Sequence, residues 1–291
     1  MVQTGAVEGD GRVPLTAARI AGMTGGRLVS GSADAEPAGF SIDSRTLAAG
    51  DAFVAIEAAR DGHAFVADAV ARGAGVVVVS RPIDAASAGT AAVVEVPDTT
   101  QALQDLARAV RRASGARVVA ITGSAGKTTT KDATAALLGG RFSVVKNPGN
   151  LNNHLGLPLS MLELRHGADI AVMELGMNHA GEIRVLVGVA EPDVRVWTNV
   201  GDAHIGFFGT VEAIAQAKAE ILEMAGPDTL FVGNADDPHV MSHVASFPGR
   251  VVTFGFGADA LVRAERVEDR GLEGMQAEIR TPAGSAALEV R

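Results

Sequence analysis

Residues 118–136 read VVAITGSAGKTTTKDATAA. Val118, Val119 and Ile121 make a short, β-branched apolar run suited to a buried strand. The run breaks at Gly123-Ser124-Ala125-Gly126, and Lys127-Thr128 lead into an alanine-rich segment suited to helix. Strand, glycine loop, lysine, hydroxyl and helix is the order that cradles a nucleoside triphosphate. Glycines let backbone N–H groups close on phosphate oxygens, and the positive end of the helix dipole faces the same anion. On this reading Gly123, Ser124, Ala125, Gly126, Lys127, Thr128 and Thr129 contact ATP. Lys127 neutralises the outer phosphates, and the Thr128 hydroxyl sits on Mg2+. The plain alternative is a glycine-rich turn before any helix. The loop also departs from the common G-x-x-x-x-G-K-[ST] spacing, because the place of the first glycine falls on Ile121, inside the strand.

Composition narrows the class. A chain of 291 residues has room for about two domains. Its net charge of -9 argues against nucleic acid as the main partner, which needs a basic face. It has no cysteine, so neither disulfides nor thiolate metal sites are available. The start, MVQTGAVEGDGR, lacks a basic region followed by an apolar run, and no apolar stretch is long enough to span a membrane. A cytoplasmic monomer without membrane insertion is expected. Of 25 basic residues only Lys127, Lys131, Lys146 and Lys218 are lysines. Codon bias explains the arginine excess, but not why the lysines fall in one region.

Along the chain, Leu15–Met23 reads as a short helix. Residues 40–80 read as strand, turn, strand (51–56), loop, helix (63–72) and a fully apolar strand (76–79), a small α/β unit with its own core. Asp43-Ser44-Arg45 and Asp61-Gly62-His63 place polar groups on its loops. Arg45 suits a phosphate, but a turn at Asp-Ser and a helix cap at Asp61 are the stronger reading of these residues taken alone. Val96-Pro97-Asp98 ends this unit, and a helix from Thr99 through Arg112 feeds the strand before the glycine loop. Beyond the loop, strands are expected at 142–145, 169–174, 194–199, 229–232 and 251–256. Helices are expected at 157–164, 180–187, 211–225 and 237–246, with a hairpin from Met275 turning at 282–285. Alternating strands and helices indicate a mostly parallel sheet. The fold class is therefore α/β: a small N-terminal α/β domain, residues 1–98, and a P-loop-type α/β domain, residues 99–291.

Ligands gather at the carboxyl ends of parallel strands. That rule places the 123–128 loop, Glu174, the 199–204 loop and Asn234 on one rim. An acid ending the strand beside a phosphate loop is suited to hold magnesium, so Glu174 is a metal candidate. His204, taken alone a structural or surface histidine, becomes a metal or phosphate contact in that company. Lys218 lies on the apolar stripe of its helix, with Ile214, Ala215, Ile221 and Leu222 three and four residues away. An amine there either snorkels outward or is buried for a function.

Together these residues resemble the Mur ligase family of ATP-dependent ligases. The short loop TGSAGKTTT is that family's form of the phosphate loop. Further matching stretches are Asn150-Leu151-Asn152-Asn153 with Gly156-Leu157-Pro158-Leu159, Glu174-Leu175-Gly176-Met177-Asn178-His179, Ala203-His204, Ala217-Lys218-Ala219-Glu220 and Asn234-Ala235-Asp236-Asp237. The resemblance implies that residues 1–98 hold the UDP end of UDP-N-acetylmuramoyl-tripeptide, with Ser44 and Arg45 near the diphosphate. It implies MgATP in the second domain, with Lys127, Glu174, His204 and Lys218 catalytic. Thr128 and Glu174 would hold one magnesium and His204 a second, Lys218 would be carbamylated into a metal ligand, and Asn234 would touch adenine. Asn152, Asn153, Asn178 and His179 would meet substrate, and D-alanyl-D-alanine would be the amine. Residues 57–60, Glu-Ala-Ala-Arg, depart from the family's pattern, being one residue short and without its glycine. The family also has a third domain that closes over ATP. With the hairpin interrupted at Arg291, a piece that binds nucleotide without ligating is expected. Two other readings stand: a folylpolyglutamate synthase-type amide ligase, and a non-catalytic nucleotide-binding module.

Overall fold

The computed structural model describes residues 11–203 and 205–290. Its contacts group into two compact units, one of residues 1–117, 138–171 and 189–191, the other of residues 118–137, 172–188 and 192–291. No helix among the described residues is long and apolar enough to cross a membrane.

The first unit contains a five-stranded sheet of β1 (Arg27–Ser30), β2 (Phe40–Ser41), β3 (Ala52–Val54), β4 (Val76–Val79) and β5 (Ala92–Glu95), in the order β1-β5-β4-β3-β2. The β2/β3, β3/β4 and β4/β5 pairs are parallel, and β1 runs antiparallel to β5. β3 and β4 are buried along their whole length, as apolar runs in a parallel sheet should be. Phe53, Val66, Ala69, Val77 and Val93 form the core beneath them. The expected helix at 63–72 is a 3-10 turn, Gly62–Phe65, continued by the helix Val66–Ala71. Asp61 does cap it, accepting from the His63 N–H at 3.0 Å.

The larger sheet comprises β6 (Arg117–Thr122), β7 (Val144–Lys146), β8 (Ile170–Glu174), β9 (Val194–Trp197), β10 (Leu230–Asn234), β11 (Arg250–Gly255), β12 (Val262–Asp269), β13 (Met275–Thr281) and β14 (Gly284–Val290). Its order is β14-β13-β12-β11-β10-β9-β6-β8-β7. β6, β9, β10 and β11 pair in parallel, and β12 joins β11 in parallel over two residue pairs, a strand the apolar pattern did not announce. β13 and β14 form the expected antiparallel hairpin.

The helix expected at 211–225 is shorter. It runs Val211–Ala219 and tightens into a 3-10 turn at Glu220–Leu222. The cause is Arg195, buried on β9, whose guanidinium donates to Ile221 O at 2.6 Å and also to Glu223 O. Those carbonyls belong to the orphan set at a helix end, and satisfying them lets the chain leave in an extended conformation at Glu223. The helix after β10 shortens to Pro238–Ser242, with Asp237 as its cap.

Candidate functional site

β6 ends at Thr122, and the loop that follows is fixed by one close approach. Gly123 is buried with φ +152, and a Cβ there would overlap the Thr198 hydroxyl. Only glycine lets the backbone lie against Thr198 in this way. Thr198 Oγ1 donates to Ala125 O at 2.8 Å. Asn199 brackets the same residue, accepting from Ala125 N–H at 2.8 Å and donating to Ala125 O at 3.1 Å. Ser124 Oγ accepts from Gly201 N–H at 2.9 Å and lies 3.2 Å from Gly201 O. The loop is therefore held from the end of β9 before any ligand arrives. The helix Lys127–Gly139 starts at once, and Thr130 N–H to Gly126 O is its first bond, at 2.9 Å. The N–H groups of the preceding turn have no intrahelical acceptor, which is the arrangement an anion uses.

Two lysines meet at one oxygen. Lys127 Nζ donates to Gly123 O at 2.9 Å, and Lys218 Nζ donates to the same oxygen at 3.0 Å. Lys218 is 1% exposed. Burial, with Lys127 beside it, pushes the Lys218 amine down to about 7. Burial also lowers Lys127, while Glu174 opposes that shift. The sequence left Lys218 open between snorkelling and burial; it is buried, on the face with Ile214, Ala215 and Ala217.

Beside the lysines, Thr128 Oγ1 donates to Glu174 Oε2 at 2.7 Å. Glu174 is the last residue of β8 and is buried. A hydroxyl and a carboxylate at this separation are hard oxygen donors of the kind magnesium takes, and that ion commonly keeps several waters and substrate oxygens as its other ligands. The residues present fit Mg2+, with Thr128 and Glu174 as the protein's share. His204, the expected second metal ligand, lies outside the described residues. Asn234 ends β10 with both amide atoms engaged, donating to Thr198 O at 3.0 Å and accepting from Asp236 N–H at 3.0 Å.

The chain matches the family described as Mur ligase middle domain over residues 121–291, and Mur ligase family, catalytic domain, over residues 37–111. The chain belongs to the Mur ligase family. A UDP-N-acetylmuramoyl-tripeptide--D-alanyl-D-alanine ligase of Bacillus subtilis is 39% identical over 220 residues, 75% of this chain and 47% of the relative. A crystal structure of MurF from Acinetobacter baumannii superposes with TM-score 0.86 and 34% identity, over 96% of this chain and 61% of that one. The MurF ligase of Thermotoga maritima, in complex with ADP, superposes with TM-score 0.76 and 32% identity, over 86% of this chain and 57% of that one. The chain spans about half the length of the curated relatives it matches.

The remaining candidates of this Mur ligase chain fall in three places. Ser44 is buried and Arg45 exposed on the turn after β2; both line a cavity of the first unit together with Leu155. Asn153 Oδ1 accepts from Gly156 N–H at 2.8 Å, at the start of the helix Gly156–Met161, with the half-buried Asn152 just ahead of it. Asn178 and His179 donate their N–H groups to Glu182 Oε2 at 2.6 and 3.2 Å, and the His179 ring meets Phe207 edge-on. Sequence reasoning missed Thr198 and Glu220. Glu220 is buried and accepts from Gly181 N–H at 2.6 Å and Arg184 N–H at 3.0 Å, which anchors the helix Glu182–Ala190 to the turn after Lys218. An acid two residues from Lys218, in the stretch Ala217-Lys218-Ala219-Glu220, was the available signal.

Proposed function

We propose that this chain is the substrate- and nucleotide-binding part of an ATP-dependent ligase. Its reaction joins D-alanyl-D-alanine to UDP-N-acetylmuramoyl-tripeptide in the making of peptidoglycan precursors. The observation that carries the phosphoryl chemistry is the convergence of Lys127 and Lys218 on Gly123 O beside the Thr128–Glu174 pair. Lys127, half-buried and donating to a neutral carbonyl, is an incompletely compensated cation, and a terminal phosphate completes its compensation. Lys218, crowded onto the same carbonyl, is the amine that burial and Lys127 push toward its neutral form. The names of the relatives supply the identities of acceptor and amine.

Residues 1–98 take the UDP end, with Ser44 and Arg45 at the cavity; residues 99–291 take ATP. Gly123 to Thr129 wrap the phosphates, Lys127 moves from Gly123 O onto the outer phosphate, and Asn234 borders the adenine. The tripeptide carboxylate then attacks the γ-phosphorus: a carboxylate O–P bond forms, the bridging O–P bond to ADP breaks, and ADP leaves. The dipeptide amine attacks the acyl carbon of that acyl phosphate, inorganic phosphate departs, and the amine loses a proton. Thr128 and Glu174 would hold Mg2+, which when bound would lower the cost of gathering negative charge at the phosphates. His204 would contribute to a second such site, and Lys218, after its neutral amine adds CO2 and loses a proton, would supply that site with a carbamate oxygen. A lysine held near neutrality has a free amine to carbamylate. Asn152, Asn153, Asn178 and His179 border the peptide substrates. The chain works in the cytoplasm as a monomer. Folylpolyglutamate-type chemistry is not favoured, since the relatives share D-alanyl-D-alanine addition.

Calorimetric titration of this chain with MgATP and with UDP-N-acetylmuramoyl-tripeptide tests the reading. Both ligands bind, and Lys127→Ala removes the first while sparing the second. Binding of ATP with no binding of the UDP-linked ligand overturns it in favour of a bare nucleotide-binding module.

A further inference from the structure

The first unit holds a cavity of about 440 Å³, within the range of small-molecule sites. Phe53, Phe65 and Leu155 give it an apolar side, and four charged residues line it: Asp43, Arg45, Arg60 and Asp68. Two of these charges cancel each other. The Asp43 carboxylate accepts from Arg45 Nε at 2.9 Å, from Arg45 Nη2 at 2.6 Å and from Arg45 N–H at 2.9 Å. An anion entering the cavity must compete for Arg45 with a carboxylate fixed two residues away. The side-chain hydrogen bond from Arg45 holds Asp43 down to about 2, so the pair does not open by protonation near neutral pH.

Arg60 differs in kind. It has no hydrogen bond or ion pair within the described residues, and its charge reaches Asp43 only through space. It is the last residue of the 57–60 loop, whose base is pinned by Gly62 N–H to Ile56 O at 2.8 Å and by the bridge between Glu57 and Asp61. Asp61 and Glu57 are themselves taken by Arg81, so neither neutralises Arg60. A pinned loop carrying an unpaired, exposed guanidinium over a cavity can present two parallel N–H donors to a phosphate without refolding.

We propose that Arg60 is the residue that supplies the attractive charge for the diphosphate of a nucleotide-linked substrate in this cavity. The Asp43–Arg45 turn shapes the wall, and the apolar side takes the base. This rests on the reading that the first unit binds the UDP end of the substrate. It also gives a role to the loop that departs from the family's pattern: the shortened loop brings a cation to the cavity rim.

The test is titration of this chain, its glycine loop saturated with MgATP, using uridine 5′-diphosphate and uridine as paired probes. Arg60→Ala should weaken the diphosphate roughly tenfold and leave uridine unchanged, Arg60→Lys should recover part of the loss, and added salt should narrow the gap. Arg60 is exposed, so an unchanged melting temperature checks the fold. Unaltered diphosphate affinity in Arg60→Ala, or equal loss of both probes, overturns the assignment while the reading of the first unit survives. If the unmodified chain binds neither probe, that reading fails and the assignment falls with it.

Discussion

At the glycine loop, two lysine amines share the carbonyl oxygen of Gly123, one fully buried and one half-buried. At the Ser44 turn, an exposed arginine is already closed on its own aspartate. Both places are proposed to meet phosphate, and their charges are arranged in opposite ways. The loop is organised in advance, with positive charge held away from water at a cost to folding stability that an anion offsets on arrival. The turn stays electrically satisfied in solvent, costs the fold little, and leaves discrimination to residues around it. A site for a reacting phosphate gains from the first arrangement, because fixed charges need not reorganise during the reaction. A site that only holds a nucleotide-linked substrate does well with the second.

The contrast breaks most visibly at Gly123. Gly123→Ala forces a methyl group into the Thr198 hydroxyl at a backbone angle that non-glycine residues rarely adopt. We expect about 4 kcal/mol of destabilisation and loss of ATP binding, read by thermal unfolding and calorimetry. Adding Thr198→Ala should restore part of the stability. If Gly123→Ala binds ATP normally, the loop is not rigid. The equivalent test at the turn, Ser44→Ala, should leave ATP binding untouched.

The two regions also titrate in different pH windows, although in both stability rises with pH. Lys218 titrates near 7 in the fold against an ordinary value near 10.5. Between those values the unfolded chain binds the extra proton, so stability rises with pH from about 7 to about 10 and the penalty is complete below 7. Over that window the size is on the order of 4 kcal/mol. Lys218→Met should remove most of this slope in denaturant unfolding measured at pH 6, 8 and 10. A slope unchanged in that variant would mean that the amine is not the group responsible.

How much of this was legible in the sequence follows from the range of the forces involved. β4, β6 and β8 announce themselves because each is a local apolar run. β1 is mostly exposed and has no alternation to read, since its pairing with β5 is set by residues more than sixty positions away. The glycine loop was readable because its chemistry is contiguous. The end of the Lys218 helix was not, because Arg195 on another strand ends it. Lys218 itself could be placed on an apolar stripe from spacing alone, but its meeting with Lys127 at Gly123 O depends on the sheet order that brings β9 next to β6.

Glu220 sharpens the picture at the organised end. Its carboxylate caps the helix Glu182–Ala190 from the turn after Lys218, so it ties two rim elements together. Glu220→Ala should cost about 2 kcal/mol, since a buried carboxylate at a helix N-terminus is lost and two N–H groups are left unmet. Glu220→Gln keeps one acceptor oxygen and should cost about half as much. Equal losses would point to packing rather than to the acceptor.

The smallest effect belongs to the turn, and its smallness is informative. Asp43 titrates near 2 because Arg45 bonds it, so its contribution is present above its ordinary pKa of 3.8 and disappears as the pH falls toward 2. The pair is exposed, and solvent screening discounts it to well under about 1 kcal/mol. Asp43→Asn removes the carboxylate while keeping a turn-forming side chain, so stability should shift only slightly and mainly at pH 4 and above. Binding should move in the other direction: freeing Arg45 adds a second unpaired guanidinium to the cavity, and uridine 5′-diphosphate should bind a few-fold tighter. Weaker binding in Asp43→Asn would show that the turn is organised in advance by its ion pair, and the division drawn between the two regions would fail there.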